Sequence, residues 1–121
     1  MPLTRDAATR LLSFFCTRPL TLHLWCGTKP KPGAWRECKG GYRPVPLDAG
    51  RWWYAEDTPA ATQEVTVTFA GPLEEPAVGF CLTSQDGLEY WERFDKPVNP
   101  QFAGAELTVS VRIDWKGEPL S

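Results

Sequence analysis

Val65, Val67 and Phe69 alternate with Thr66 and Thr68, a period of two that predicts a half-buried β-strand. The run Gly71-Pro72-Leu73-Glu74-Glu75-Pro76 carries prolines that lack a ladder donor, so a turn is expected there. Ala77 to Thr83 has a different pattern. Val78, Phe80 and Leu82 fill one face, and the small residues Ala77, Gly79 and Cys81 fill the other. A strand that is apolar on both faces belongs at the centre of a packed sheet. Ser84-Gln85-Asp86-Gly87 predicts a hairpin turn, because Asp-Gly readily supplies positive φ. The next strand, Leu88 to Phe94, sets Leu88, Tyr90 and Phe94 against Glu89, Trp91 and Arg93; Glu92 falls on the apolar side and needs a partner or solvent.

Upstream, Ala8, Leu11, Leu12 and Phe15 recur at helical spacing, predicting a helix over Thr4 to Phe15, capped by Thr4 or Asp6 and ended at Arg18-Pro19. This segment reads either as an arm that docks on a partner or as an amphipathic lid over one end of the fold. Leu20, Leu22 and Leu24 alternate with Thr21, His23 and Trp25 in a first strand, and His23, the single histidine, lies opposite the leucines. From Gly27 to Gly41 there is no period; Lys29 and Lys31 each precede a proline, and Trp35 and Arg36 follow. Such a loop either contacts another protein or folds its tryptophan back on the core. Tyr42 to Leu47 is a proline-broken edge strand, and Arg51 to Tyr54 a short aromatic one. Neighbouring strand residues face opposite ways, so one of Trp52 and Trp53 is core and the other exposed. Glu56 to Thr62 and Asp95 to Gly104 read as irregular connections, and Leu107 to Trp115 as a final alternating strand.

These elements predict an all-β, jelly-roll-like sandwich of about seven or eight strands with a short N-terminal helix. The chain divides into an arm over 1–19, the sandwich over 20–115 and a tail over 116–121. With 121 residues there is room for one core, and 12 prolines, 10 glycines and 6 tryptophans suit short strands joined by turns. A net charge of -2 gives no general attraction to nucleic acid or to an anionic membrane, and no apolar run is long enough to span a bilayer. Leu11 to Cys16 is too short for a signal peptide, so Cys16, Cys26, Cys38 and Cys81 are expected as reduced thiols. Neither a disulfide nor a metal is expected.

Chemistry is thinly represented. There is no phosphate loop, no nucleophile elbow and no second histidine, so no catalytic residue, metal ligand or cofactor is assigned. Glu74-Glu75 reads as solvated charge, and Glu89, Glu92 and Arg93 as an ion-pair patch. Apolar anchors within polar surroundings mark protein contact, which singles out Trp35, Arg36, Lys29, Lys31, Leu11, Leu12, Phe15, Trp52 and Trp53. Exposed tryptophans also permit sugar stacking, which makes a carbohydrate-binding module the alternative.

The order of the pieces resembles a family. LHLW precedes a long loop and Gly41-Tyr42, then come TFAGP, VGFCLTS, LEYWERFDKP and LTVSVRI. This is similar to small β-rich structural proteins of tailed bacteriophages, with Trp91-Glu92-Arg93-Phe94 fitting closely and Val78-Gly79-Phe80 standing where Gly-Tyr is usual. The resemblance spans roughly Leu20 to Ile113. It implies a virion component made in the host cytoplasm: a capsid cement (decoration) protein on the outer shell, bound to the major capsid protein, often as a trimer. A tail or baseplate component shares the same logic. The Pro- and Lys-rich Gly27–Gly41 loop departs from the family's usual Thr/Asp/Asn composition. The Leu11 to Phe15 segment and this loop are expected on the capsid-facing side or between protomers, with the Asp86-Gly87 turn pointing away.

Overall fold

The computed structural model describes residues 4–27, 35–56 and 60–114. Thr4 caps helix α1 (Arg5–Cys16), its hydroxyl accepting the Ala7 N–H at 3.1 Å. Eight strands follow: β1 (Thr21–Trp25), β2 (Gly40–Tyr42), β3 (Val45–Pro46), β4 (Trp53–Tyr54), β5 (Ala60–Leu73), β6 (Ala77–Ser84), β7 (Gly87–Val98) and β8 (Glu106–Asp114). All described pairings are antiparallel. One sheet has the order β3-β1-β6-β7; the other gathers β2, β4 and β8 around β5. The connections β1 to β2, β2 to β3, β3 to β4, β5 to β6 and β7 to β8 all pass between sheets. The fold is therefore an all-β sandwich with a short N-terminal helix.

The core lies between the sheets. Leu22, Leu24, Phe80 and Leu82 face Val65, Val67, Phe69, Val109, Val111 and Ile113, and all are buried. β6 is central, between β1 and β7, as its two apolar faces require. Gly79 sits beneath the Trp25 ring; a Cβ there collides with that ring and with the Glu92 carbonyl. On β7, Phe94 and Tyr90 pack against Phe80, and Glu92 finds its partner in the Tyr90 hydroxyl, which donates to it at 3.1 Å.

Several expectations are corrected. β5 starts at Ala60 and runs through Gly71 and Pro72, so the turn is confined to 74–76. Its first residues show no alternation because Ala60, Ala61, Thr62 and Gln63 are all buried. Gln63 meets that burial by donating to the Asp48 carbonyl (2.9 Å) and accepting its N–H (3.3 Å). β7 extends to Val98, beyond the expected end at Phe94. The Tyr42–Leu47 strand splits at Arg43-Pro44, giving β2 to one sheet and β3 to the edge of the other. Trp115 and the 116–121 tail lie outside the described residues.

Candidate functional site

Two ends of the sandwich carry the residues in question. At the first, α1 buries Ala8, Leu12 and Cys16 and leaves Phe15 half-buried. The expected stripe is rotated: Leu11 is 48% exposed, and Phe14, outside the expected stripe, is 71% exposed. Cys16 bonds with Tyr54 on β4, and burial pushes its thiol up to about 11. The same end holds Trp53, which is 62% exposed, whereas Trp52 is only 7% exposed and belongs to the core. Alternation along the strand thus separates the two tryptophans as expected. Arg18, just past α1, donates to Ser84 (3.0 Å), pairs with Asp86 (2.6 Å) and also with Glu89. The Asp86-Gly87 turn therefore sits beside α1 instead of pointing away, because this arginine ties them together.

The second end is a clasp on the far side of β6. Residues 36–38 run back along β1: Cys26 N–H donates to the Arg36 carbonyl (3.0 Å) and Cys38 N–H to that of Leu24 (2.9 Å). This antiparallel return brings the Cys26 and Cys38 Cα atoms to 5.2 Å, and the two are joined in a disulfide. The expected reduced state is overturned for this pair; Cys16 and Cys81 remain free and buried. Burial, with the Glu37 carboxylate adding to it, raises the Cys81 thiol to about 12.

The clasp engages its functional-looking side chains with the rest of the fold. Trp35 stands edge-on to His23 with ring centroids 5.1 Å apart, and Arg36 pairs with Glu75 at 2.6 Å. Glu37 accepts the Tyr42 hydroxyl (2.8 Å) and lies 3.1 Å from His23 Nδ1, while His23 Nε2 lies 3.0 Å from Thr83 Oγ1. Burial, reinforced by Glu37, drives the Tyr42 phenol far above its ordinary value. A hydroxyl, an imidazole and a carboxylate in this order have the spacing of a nucleophile, its base and an orienting acid. Thr83 itself lies within the sheet, paired with Thr21 of β1 and Leu88 of β7. The network instead fastens the clasp to β1 and β6.

The structure thus places Trp35 and Arg36 at one end and Leu11, Leu12, Phe15 and Trp53 at the other. Lys29 and Lys31 lie outside the described residues. Trp53 is also remote from Trp35 and Trp91, which occupy the other sheet's outer region, so the tryptophans make no single stacking platform. Among the described residues no cluster of His, Cys, Asp and Glu is arranged to hold a metal, and no helix is long and apolar enough to cross a membrane. Phe14 lies off the apolar stripe read from the sequence, and its exposure follows from how α1 is rotated on the sheets. Comparison with known proteins finds no matching family, no similar characterised protein and no similar solved structure.

Proposed function

We propose that the chain is a non-enzymatic binding protein of a tailed-phage particle, a capsid cement protein that holds neighbouring shell subunits together from the outer surface. The observation that supports it is the exposure of large apolar side chains on two neighbouring elements, Phe14 and Leu11 on α1 and Trp53 and Tyr54 on β4. Aromatic residues left in solvent on an otherwise well-packed sandwich serve contact with another protein, and tryptophan and tyrosine are frequent carriers of interface energy. The shell as partner comes from the sequence resemblance, and the exposed side chains on α1 and β4 support the choice of surface. A clamp of this kind adds free energy only to the assembled state, since it buries area that exists only where subunits meet.

The test is uptake by shells assembled from the major capsid protein of the same phage genome. Saturable binding at a fixed ratio per capsid subunit is expected. Trp53→Ala is expected to weaken it by about 2 kcal/mol, or roughly thirtyfold, while the isolated fold melts as before. Shells that take up no protein, with tail assemblies that do, move the reading to a tail or baseplate component.

A further inference from the structure

β8 is an edge. Among the described residues it pairs with β5 alone, from Glu106↔Thr68 to Asp114↔Ala60. Just before this ladder, Phe69 N–H donates to the Ala105 carbonyl and Gly104 N–H to that of Phe69, which fixes the alternation. Leu107, Val109, Val111 and Ile113 therefore bond inward to β5, and Glu106, Thr108, Ser110, Arg112 and Asp114 turn their N–H and C=O groups outward. The Tyr90 hydroxyl, which donates to the Arg112 carbonyl at 3.3 Å, agrees with this direction.

The edge is also unguarded. Natural edge strands carry proline, lysine or a bulge to discourage pairing. β7, the edge of the other sheet, has Lys96, Pro97 and a register shift; β8 has none of these over 9 residues. Beside it, a groove between β7 and β8 carries half-buried Phe94 and Leu107 over the buried Phe80 and Val109.

We propose that β8 pairs antiparallel with β8 of a second copy, in the register that sets Val109 against its counterpart on the two-fold axis. The charges select this register. It places Glu106 against Arg112 and Thr108 against Ser110, each twice by symmetry, and outward backbone groups meet outward groups, the Arg112 carbonyl using its second lone pair beside the Tyr90 hydroxyl. With Ser110 on the axis, Glu106 faces Asp114 and repels it. With Thr108 on the axis, Glu106 faces Ser110 and no charges pair. Arg112 is already held on this face by Asp114 at 3.0 Å, while Glu106 has no ion-pair partner among the described residues.

The pairing needs no shell, so it stands or falls separately from the proposed function. Sedimentation equilibrium of the full chain over rising concentration is expected to reach twice the monomer mass. Glu106→Arg and Arg112→Glu each set like charges opposite one another twice, and each is expected to weaken the dimer about tenfold. Combining them restores opposite charges and is expected to bring the affinity back to within about threefold of the original. Ser110→Pro removes an outward N–H, suits an edge strand, and is expected to give a folded monomer. A trimer, a chain that stays monomeric at high concentration, a combined variant no tighter than the single ones, or a dimer that survives Ser110→Pro overturns the proposal.

Discussion

The two ends of this sandwich treat aromatic residues in opposite ways. At the clasp, Trp35 packs on His23 and the surrounding polar groups bond to one another, under a disulfide that ties the loop's base to β1. At the α1 end, Phe14 and Trp53 stay in solvent although buried apolar neighbours lie one or two residues away. The difference lies in what holds each segment. A long connection must use its own side chains to fix itself, so its tryptophan is spent on the fold. The helix and β4 are already fixed by Leu12, Cys16 and Trp52, which leaves Phe14 and Trp53 with no part in holding the fold.

The largest effect that tests this contrast is reduction of the clasp. Closing a loop with a sequence separation of 12 stabilises by roughly 3 kcal/mol through the unfolded state. Reductant, or Cys38→Ser, is expected to lower the melting temperature by about 10 °C. A melt that does not move removes the contrast. Thiol titration checks the same point: two reactive thiols are expected in the denatured, unreduced chain, from Cys16 and Cys81.

Alkali probes the opposite end. The Cys16 thiol is raised from 9.0 to about 11 by burial, so between these values the unfolded chain has lost its proton and the folded chain keeps it. Stability is complete below the lower value and falls as pH rises through this window, on the order of 1 kcal/mol per pH unit. Urea midpoints measured at pH 8.5 and 10.5 are expected to show the drop, and Cys16→Ala is expected to reduce it by about half. Cys81, raised to about 12, adds its share over the same range.

The smallest effects separate the residues that secure the α1 end from those that decorate it. Arg18→Ala loses its bonds to Ser84, Asp86 and Glu89 and is expected to cost about 1 kcal/mol in chemical denaturation. Phe14→Ser is expected to stay within about 0.5 kcal/mol of the original. Equal losses from both erase the distinction.

The sequence made the central position of β6 legible because both its faces are apolar, and it separated Trp52 from Trp53 by alternation alone. Where it misled, burial came from partners remote in the chain. Ala60 to Gln63 show no period because both their faces are covered, and Gln63 is buried only because the Asp48 backbone satisfies it. Pro72 did not end β5, because Leu73 N–H still bonds with the Asn99 side chain (3.1 Å) and Glu74 N–H with the Lys39 carbonyl (2.8 Å). The Cys26–Cys38 pairing depends on the register between Trp25 and Glu37, which no spacing rule encodes. Of the candidate site, Leu11 and Trp53 were named in advance, whereas Phe14 required knowing how α1 is rotated.

β5 runs unbroken for 14 residues, about 45 Å, from the α1 end to the clasp. Force pulling these ends apart runs parallel to the strand and loads its ladder with β8 in shear. From Ala60↔Asp114 to Thr68↔Glu106 the pairs then share the load together instead of parting one after another. A load along this direction is thus met by the whole ladder at once, as a rivet meets shear, along the line in which the longest strand lies.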